Sequence, residues 1–510
     1  MRQGMMQDES DVLVVGAGVV GCAVAREASR HALRVCVLEQ AGDVAEGSTK
    51  ANSAIVHAGY DAVPGTAKAR FNVRGNALFE DWCRELDVPF VRNTSLVAAF
   101  DDRDLAALEA LRLRGERNGV PGLRVLAQDE VRALEPNISR SVIGALLAPS
   151  GGICCPYGLT FRLAEHAAAN GVAFFFERRV VDVARAADGL WQVTTADGAV
   201  FRTRAVVNAA GLYADELNNM VSAQKLSITP RRGEYLMLDK QYAGTFRATI
   251  FQVPTPLGKG VLVSPTVDGT LIVGPTAEDV GDKSDTRTTA DGLRKVIESA
   301  ARVWEQVPAG GVIATFSGLR AHGDRDDFLV GEAPDAPFFF NAAAMESPGL
   351  TAAPAVAVWL AEQIGRALDA QRATHYVQHT ATWKPFREMT DAQRIAAIAD
   401  DPSYARIVCR CENVTEAEIR AAIRSRIGAR TLDGVKRRTR AGMGRCQGGF
   451  CTPRIIAILC DELGLTPEQI TKFGGGSNLL VTTHGARPAT LGLSPERRES
   501  RVGRREVCHD

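Results

Sequence analysis

The chain reads as an α/β protein with three parts: a parallel-sheet region, a mostly antiparallel lobe interleaved with it, and a small helical unit towards the C-terminus. Three observations carry this reading. A glycine-rich turn joins a short apolar run to a helical one near the N-terminus, alternating polar and apolar residues with Gly and Pro punctuation run from Pro230 to Pro275, and two close cysteine pairs follow residue 400. At 510 residues the chain exceeds the roughly 150-residue size of a common single domain, so several lobes are expected.

Asp11 to Val15 is a short apolar run, Val19 to Arg30 has helical character, and Arg34 to Leu38 is a second apolar run ending at Glu39. Between the first strand and the helix lies Gly16-Ala17-Gly18-Val19-Val20-Gly21. The acidic Glu39 follows about 20 residues further on, as a dinucleotide fingerprint requires. Gly16 allows the tight turn, Gly18 lets the backbone approach a pyrophosphate, Gly21 lets helix and strand pack closely, and Glu39 can accept hydrogen bonds from a ribose hydroxyl. The first region is therefore expected to be Rossmann-like.

Leu159 to Asn170 reads as a helix stopped by Gly171, and the apolar stretches Val172 to Phe176, Val180 to Val183 and Arg204 to Ala210 read as further strands. The alternation from Pro230 to Pro275 marks an antiparallel substrate lobe. Thr390 with Gln393, Thr415 with Glu418, and Thr466-Pro467-Glu468-Gln469 fit capping boxes, so helices are expected to begin there. The units are placed at residues 1–395, 405–465 and 466–510. The last is read as a C-terminal extension, partly mobile because its Arg, Glu, Pro and Ser have little to bury.

The 45% hydrophobic and 24% charged fractions exclude whole-chain disorder, a collagen-like repeat and a disulfide-dense scaffold. Sixty basic residues balance sixty acidic ones, which removes the global electrostatic case for nucleic acid as a partner and favours a small molecule. Eleven cysteines and a start, MRQGMMQDES, without an apolar core lead us to expect the cytoplasm, with peripheral contact at the inner membrane face as the alternative. The apolar stretch Asn341 to Gly365 is interrupted by Glu346, Pro348, Pro354 and Glu362, so no transmembrane segment is expected.

Gly16 to Gly21, Glu39, Gly47-Ser48-Thr49, Val180 and Asn208-Ala209-Ala210-Gly211 resemble the FAD-binding elements of the D-amino-acid oxidase-like superfamily. Within it, Asn52 to Gly59, Arg232-Gly233-Glu234-Tyr235 and Ser317-Gly318-Leu319-Arg320 resemble the FAD-dependent glycerol-3-phosphate dehydrogenase and oxidase group and its neighbour, L-2-hydroxyglutarate oxidase. The resemblance implies FAD as cofactor, with Ser48, Thr49, Val180 and Gly211 among its contacts. It also implies a substrate hydroxyl-bearing carbon facing the flavin. Alcohol oxidation needs the hydroxyl proton removed as hydride leaves the carbon, and neutral imidazole suits that task, so His57 is the candidate base. Arg320 stands where the resembling families place a substrate-binding arginine, and its planar fork matches carboxylate or phosphate oxygens. Lys259 and Ser347 are further donors by the same resemblance. Gly349, Leu350 and Thr351 precede an apolar helical run, so their amides could face the flavin as helix N-terminal donors.

Cys409-Arg410-Cys411 and Cys446-Gln447-Gly448-Gly449-Phe450-Cys451 supply four thiolates, enough for a 2Fe-2S cluster or a structural zinc. The spacing, with Glu412 after the second cysteine and Gly442-Met443-Gly444-Arg445 before the third, resembles the bacterioferritin-associated ferredoxin-like 2Fe-2S domain, which implies the iron–sulfur cluster. Cys22, Cys36, Cys83, Cys460 and Cys508 read as small buried hydrophobes, and Cys154-Cys155 as loop packing. The basic run Lys436-Arg437-Arg438-Thr439-Arg440 reads as a solvated face or a dock for an acidic redox partner.

The expected function is oxidation of a small anionic secondary alcohol, with sn-glycerol 3-phosphate first. Electrons would leave through the cluster to a redox partner protein or a quinone-linked acceptor. The rival readings are an L-2-hydroxy-acid dehydrogenase, a non-catalytic redox module and a zinc-stabilised scaffold.

Overall fold

The computed structural model describes residues 9–254, 260–380 and 382–481. In the first of its two large sheets, strand Ser10–Val15 lies between Val35–Leu38 and Val200–Asn208, parallel to both, and Ala173–Phe175 extends the parallel set. Val12, Leu13 and Val14 are fully buried, as a strand covered on both faces demands. Val180–Arg185, Trp191–Thr195, Ala336–Ala343 and Leu329–Ala333 complete the eight strands. Helix Val19–Ala28 is buried along its whole length and packs against helices Gly349–Ala367 and Pro156–Ala169. The expected strand, helix, strand unit is present, as are the strands foreseen near residues 172, 180 and 204.

The second sheet has nine strands, drawn from residues 95–148 and 228–323, so it is interleaved in sequence with the first. Its pairings are antiparallel except where Thr249–Gln252 runs parallel to Ser95–Ala99. The long strands Ile228–Leu238 and Val312–Gly323 pair along their length, which sets Arg320 opposite Arg231. At Gly318 the second lobe closes on the first, because a Cβ there would collide with the Ala51 carbonyl.

A third, small unit joins the short strands Ile407–Cys409 and Val414–Thr415 to helices Glu416–Arg424, Leu432–Thr439 and Thr452–Leu463. Ile419, Ile423, Val435, Ile455 and Leu459 fill its core. Reciprocal capping bonds are found at Thr390/Gln393 and Thr415/Glu418. At Thr466 only a single 3-10 turn, Pro467–Gln469, follows. The expected helix is absent there because the chain turns after Gln469 to bury Ile470 in the core of the small unit. The part of the expected mobile tail beyond residue 481, with Cys508, lies outside the described residues.

The basic run is neither a solvated face nor a dock for another protein. Arg438 grips the Asp43 carboxylate through two bonds of 2.6 and 2.7 Å and lies 3.9 Å over the Phe161 ring, and Arg437 pairs with Glu46. Arg440 bridges Asp268, at 2.6 Å, and Glu412, at 2.8 Å. These arginines fasten the small unit to both lobes, and the lobe acids they pair with, Asp43, Glu46 and Asp268, all lie far upstream in the sequence. Removing one member of a buried pair leaves the other uncompensated, at about 3–5 kcal/mol. Arg438→Met should therefore raise amide exchange across Leu432–Thr439, and adding Asp43→Leu should restore much of the protection. Unchanged exchange in the single variant would show that the pair does not hold the interface.

Candidate active site and cysteine cage

A cavity of about 1220 Å³ runs between the two lobes. One end is formed by Gly16, Gly18, Glu39, Ser48, Thr49, Val180 and Gly211, the other by His57, Arg320, Ser347, Gly349 and Leu350. The volume exceeds the range of ordinary small-ligand pockets, roughly 300–1,000 Å³, and suits a dinucleotide with a small substrate beside it.

The glycine turn is built for close approach. Gly16 has φ +101°, and a Cβ on it would strike the Ala209 carbonyl; a Cβ on Gly21 would strike the Gly16 carbonyl. Gly21 thus works through packing and does not line the cavity. Glu39, 9% exposed, accepts from the Ala17 amide at 2.7 Å and the Ala41 amide at 2.9 Å, so it fixes the turn and keeps spare lone pairs for a ribose hydroxyl. Burial raises its pKa, and those amides pull it back. Thr49 Oγ1 accepts from Val19 N at 3.1 Å, holding the start of the helix, and Ser48 Oγ donates to the Leu319 carbonyl at 2.5 Å, tying the lobes together.

At the other end His57 is pinned through its backbone. Its N–H donates to Thr351 Oγ1 at 2.9 Å, and its carbonyl accepts from Asn72 and Asn76 at 3.2 and 3.0 Å. Nε2 lies 3.2 Å from Ser347 Oγ, and the ring leans on Phe251 with centroids 5.8 Å apart. Arg320 is half-buried and donates to the Thr276 carbonyl at 3.2 Å. Among the described residues no carboxylate pairs with it, so its charge is available to an anion. Lys259 lies outside the described residues.

At the helix start Gly349 and Leu350 line the cavity and Thr351 does not. Thr351 is fully buried and off the cavity wall, because its hydroxyl supports the His57 backbone. The Gly349 amide donates to the Glu346 carbonyl at 2.5 Å, closing the turn that precedes the helix. Sequence reasoning also missed a polar network beside Ser347: Lys68 Nζ lies 2.7 Å from Glu346 and 3.3 Å from Asp326, and His322 Nδ1 lies 3.1 Å from Glu346. His322, Asp326 and Glu346 converge closely enough for a cation, and the Lys68 ammonium already lies against both carboxylates. Only the adjacency of Glu346 to Ser347 hinted at it, since Lys68 is 278 residues away.

The four clustered cysteines converge. Cys409 and Cys451 are each 2% exposed, whereas Cys411 is exposed and Cys446 half-buried. Cys411 and Cys446 Sγ lie 3.7 Å apart, the separation of two sulfurs each about 2.3 Å from one tetrahedral metal. The Cys451 thiol, with the Gly442 and Glu412 amides, pulls the Cys409 thiol down to about 6. The Phe450 amide, followed by those of Gly448 and Gly449, lowers Cys446. Amides arranged around Cys409 and Cys446 in this way stabilise thiolates, the form that binds metal, while the bond to Cys409 holds the Cys451 thiol up. By contrast burial pushes the Cys155 thiol up to about 12, and its sulfur accepts from the Gly158 amide at the start of helix Pro156–Ala169. Cys154 is fully enclosed, so this pair packs as expected.

Residues 11–363 match the family of FAD-dependent oxidoreductases, and residues 407–461 match the BFD-like 2Fe-2S binding domain. The chain is 47% identical to a glycerol 3-phosphate dehydrogenase of Caloramator mitchellensis over 92% of its own length and 98% of that protein's. It is 32% identical to a glycerol 3-phosphate oxidase of Mycoplasma pneumoniae over 68% of its length and 92% of that protein's. Among solved structures, the FAD-bound L-alpha-glycerophosphate oxidase from Mycoplasma pneumoniae superposes with a TM-score of 0.70 at 30% identity, covering 74% of this chain and all of that one. Human L-2-hydroxyglutarate dehydrogenase is 31% identical over 52% of this chain and 60% of its own. The chain belongs to the FAD-dependent oxidoreductase family. Its cofactors are FAD and a 2Fe-2S cluster. Among the described residues no helix is long and apolar enough to cross a membrane.

Proposed function

We propose that this enzyme oxidises sn-glycerol 3-phosphate to dihydroxyacetone phosphate and passes the electrons out through the 2Fe-2S cluster to a carrier protein or a quinone-linked acceptor in the cytoplasm. One observation carries the reading: a single cavity joins the dinucleotide turn at one end to an imidazole–hydroxyl pair and an acid-free guanidinium at the other. When bound, FAD supplies a hydride acceptor and the cluster a one-electron carrier. His57 takes the substrate hydroxyl proton at Nε2, Ser347 Oγ orients the imidazole and the reacting oxygen, and Arg320 holds the anionic end with Lys259. The nearly full-length likeness to a glycerol 3-phosphate dehydrogenase supports phosphate over carboxylate as that end. We assign the flavoenzyme to residues 1–395, the cluster to 405–465 with Cys409, Cys411, Cys446 and Cys451 as ligands, and the extension to 466–510.

Arg320→Lys keeps the charge and loses the two-pronged geometry. A charge-assisted hydrogen bond contributes about 1.5–3 kcal/mol, so the variant should raise the dissociation constant for glycerol 3-phosphate roughly 10- to 100-fold at unchanged FAD content. Anaerobic titration of flavin absorbance measures it, with L-2-hydroxyglutarate as the competing substrate. Unaltered affinity would move the anion clamp to another cation, and bleaching by the hydroxy acid alone would move the substrate class.

A further inference from the structure

The cluster unit has two unlike sides. One is fastened to the lobes by Arg437, Arg438 and Arg440, with Lys240 bonded to Glu412 at 2.8 Å and Arg445 gripping Asp239 at 3.0 Å. The other faces solvent at Cys411 and Cys446 and carries Phe450, 85% exposed, the most exposed large apolar side chain among the described residues. An apolar ring left so open beside a metal site gains nothing from the fold. Aromatic and arginine side chains are the residues that concentrate binding energy at protein interfaces.

Two exposed arginines without a carboxylate partner among the described residues lie close to that ring in sequence. Arg410 stands between two of the cysteines and Arg454 lies in the first turn after Cys451; both are exposed, whereas Arg445 is committed to Asp239. Arg454 Nη1 bonds the Ile407 carbonyl at 3.3 Å, and the 3.7 Å approach of Cys411 to Cys446 joins the two loops, so these side chains rim one face. Within residues 406–412 and 440–454 the single acid is Glu412, which is buried and bonded to Arg440 and Lys240. Among the described residues no carboxylate pairs with Arg410 or Arg454.

We infer that this face is the docking site of an acidic one-electron carrier protein, with Phe450 as the central contact and Arg410 and Arg454 as the steering rim. The inference rests on the reading that electrons leave through the cluster. Oxidation of the alcohol to the ketone releases two electrons and two protons; the electrons leave singly, so two oxidised carriers are reduced per substrate and the protons pass to solvent. An anionic membrane surface fits less well, because electrostatic membrane attachment uses about four to eight basic residues and a broader apolar face. A small, charge-steered contact suits a transient redox encounter, which must release its partner after each electron.

The test uses the full-length holoprotein, reduced anaerobically with glycerol 3-phosphate and mixed with a soluble acidic b-type cytochrome or a basic c-type cytochrome. Transfer to the acidic carrier should slow about ten-fold between about 20 and 300 mM salt, whereas transfer to the basic one should quicken, a contrast of sign that does not depend on driving force. Arg410→Glu and Phe450→Ser should each slow the acidic carrier about ten-fold at low salt, with substrate bleaching of the flavin and the cluster's electron paramagnetic resonance signal unchanged. A salt-independent rate, or wild-type rates in both variants, would overturn the docking site while the relay stands. Sedimentation with phosphatidylcholine–phosphatidylglycerol vesicles that Arg410→Glu abolishes would assign the face to lipid and overturn it too. An unreduced cluster after substrate addition would remove both the relay and the dock.

Discussion

His57→Ala should slow flavin reduction by glycerol 3-phosphate by about two to four orders of magnitude, the usual contribution of a positioned general base, while FAD stays bound. That range corresponds to about 2.7–5.5 kcal/mol of barrier. Such a loss is expected because the imidazole is held, not merely present. Thr351 fixes the amide of His57, Asn72 and Asn76 fix its carbonyl, Phe251 backs the ring, and Ser347 meets Nε2. A base placed within hydrogen-bond reach of the hydroxyl removes the proton without the entropy of recruiting water. The dinucleotide end of the cavity shares none of these contacts, so FAD content should match the wild type, and stopped-flow bleaching isolates the chemical step. A wild-type bleaching rate would place the base elsewhere.

What could be read in the sequence was local. The turn from Gly16 to Gly21 sits within one strand, helix, strand unit whose pattern is continuous in sequence, even though the contacts that Gly16 and Gly18 make, with Ala209 and Thr49, come from further along the chain. The cysteines announce themselves because two short loops carry all four. Three features escaped because their causes are remote in sequence. The basic run had the composition of a solvated face, and only folding brings Asp43 and Glu46 beneath Arg438 and Arg437, 395 and 391 residues away. Thr351 fitted a helix N-terminus, yet its hydroxyl is used by a residue 294 positions upstream. Lys68, Glu346 and His322 carry no shared spacing, since helix, loop and strand from three regions meet only at the cavity.

Cys411→Ser should abolish the 2Fe-2S cluster yet leave flavin reduction by substrate intact, which separates the two half-reactions. Cys411 is the exposed member of the cage, 3.7 Å from Cys446, and a serine hydroxyl is a harder, less acidic ligand than the thiolate it replaces. The unit should stay docked, because Arg437, Arg438 and Arg440 hold it to Glu46, Asp43 and Asp268 through side chains that touch none of the four sulfurs. Hydride transfer needs the base and the anion clamp, both in the cavity between the lobes, so bleaching by glycerol 3-phosphate should proceed at the wild-type rate. Turnover with a carrier protein should fall to background, while a dye that takes electrons directly from the flavin should still turn over. A structural zinc would behave otherwise: its binding contributes folding free energy outright, so losing a ligand would loosen helices Glu416–Arg424 and Thr452–Leu463 without discriminating between acceptors. Iron content and electron paramagnetic resonance of the reduced protein, measured beside both acceptor assays, decide between them. A variant equally active with carrier and dye would remove the electron-relay role.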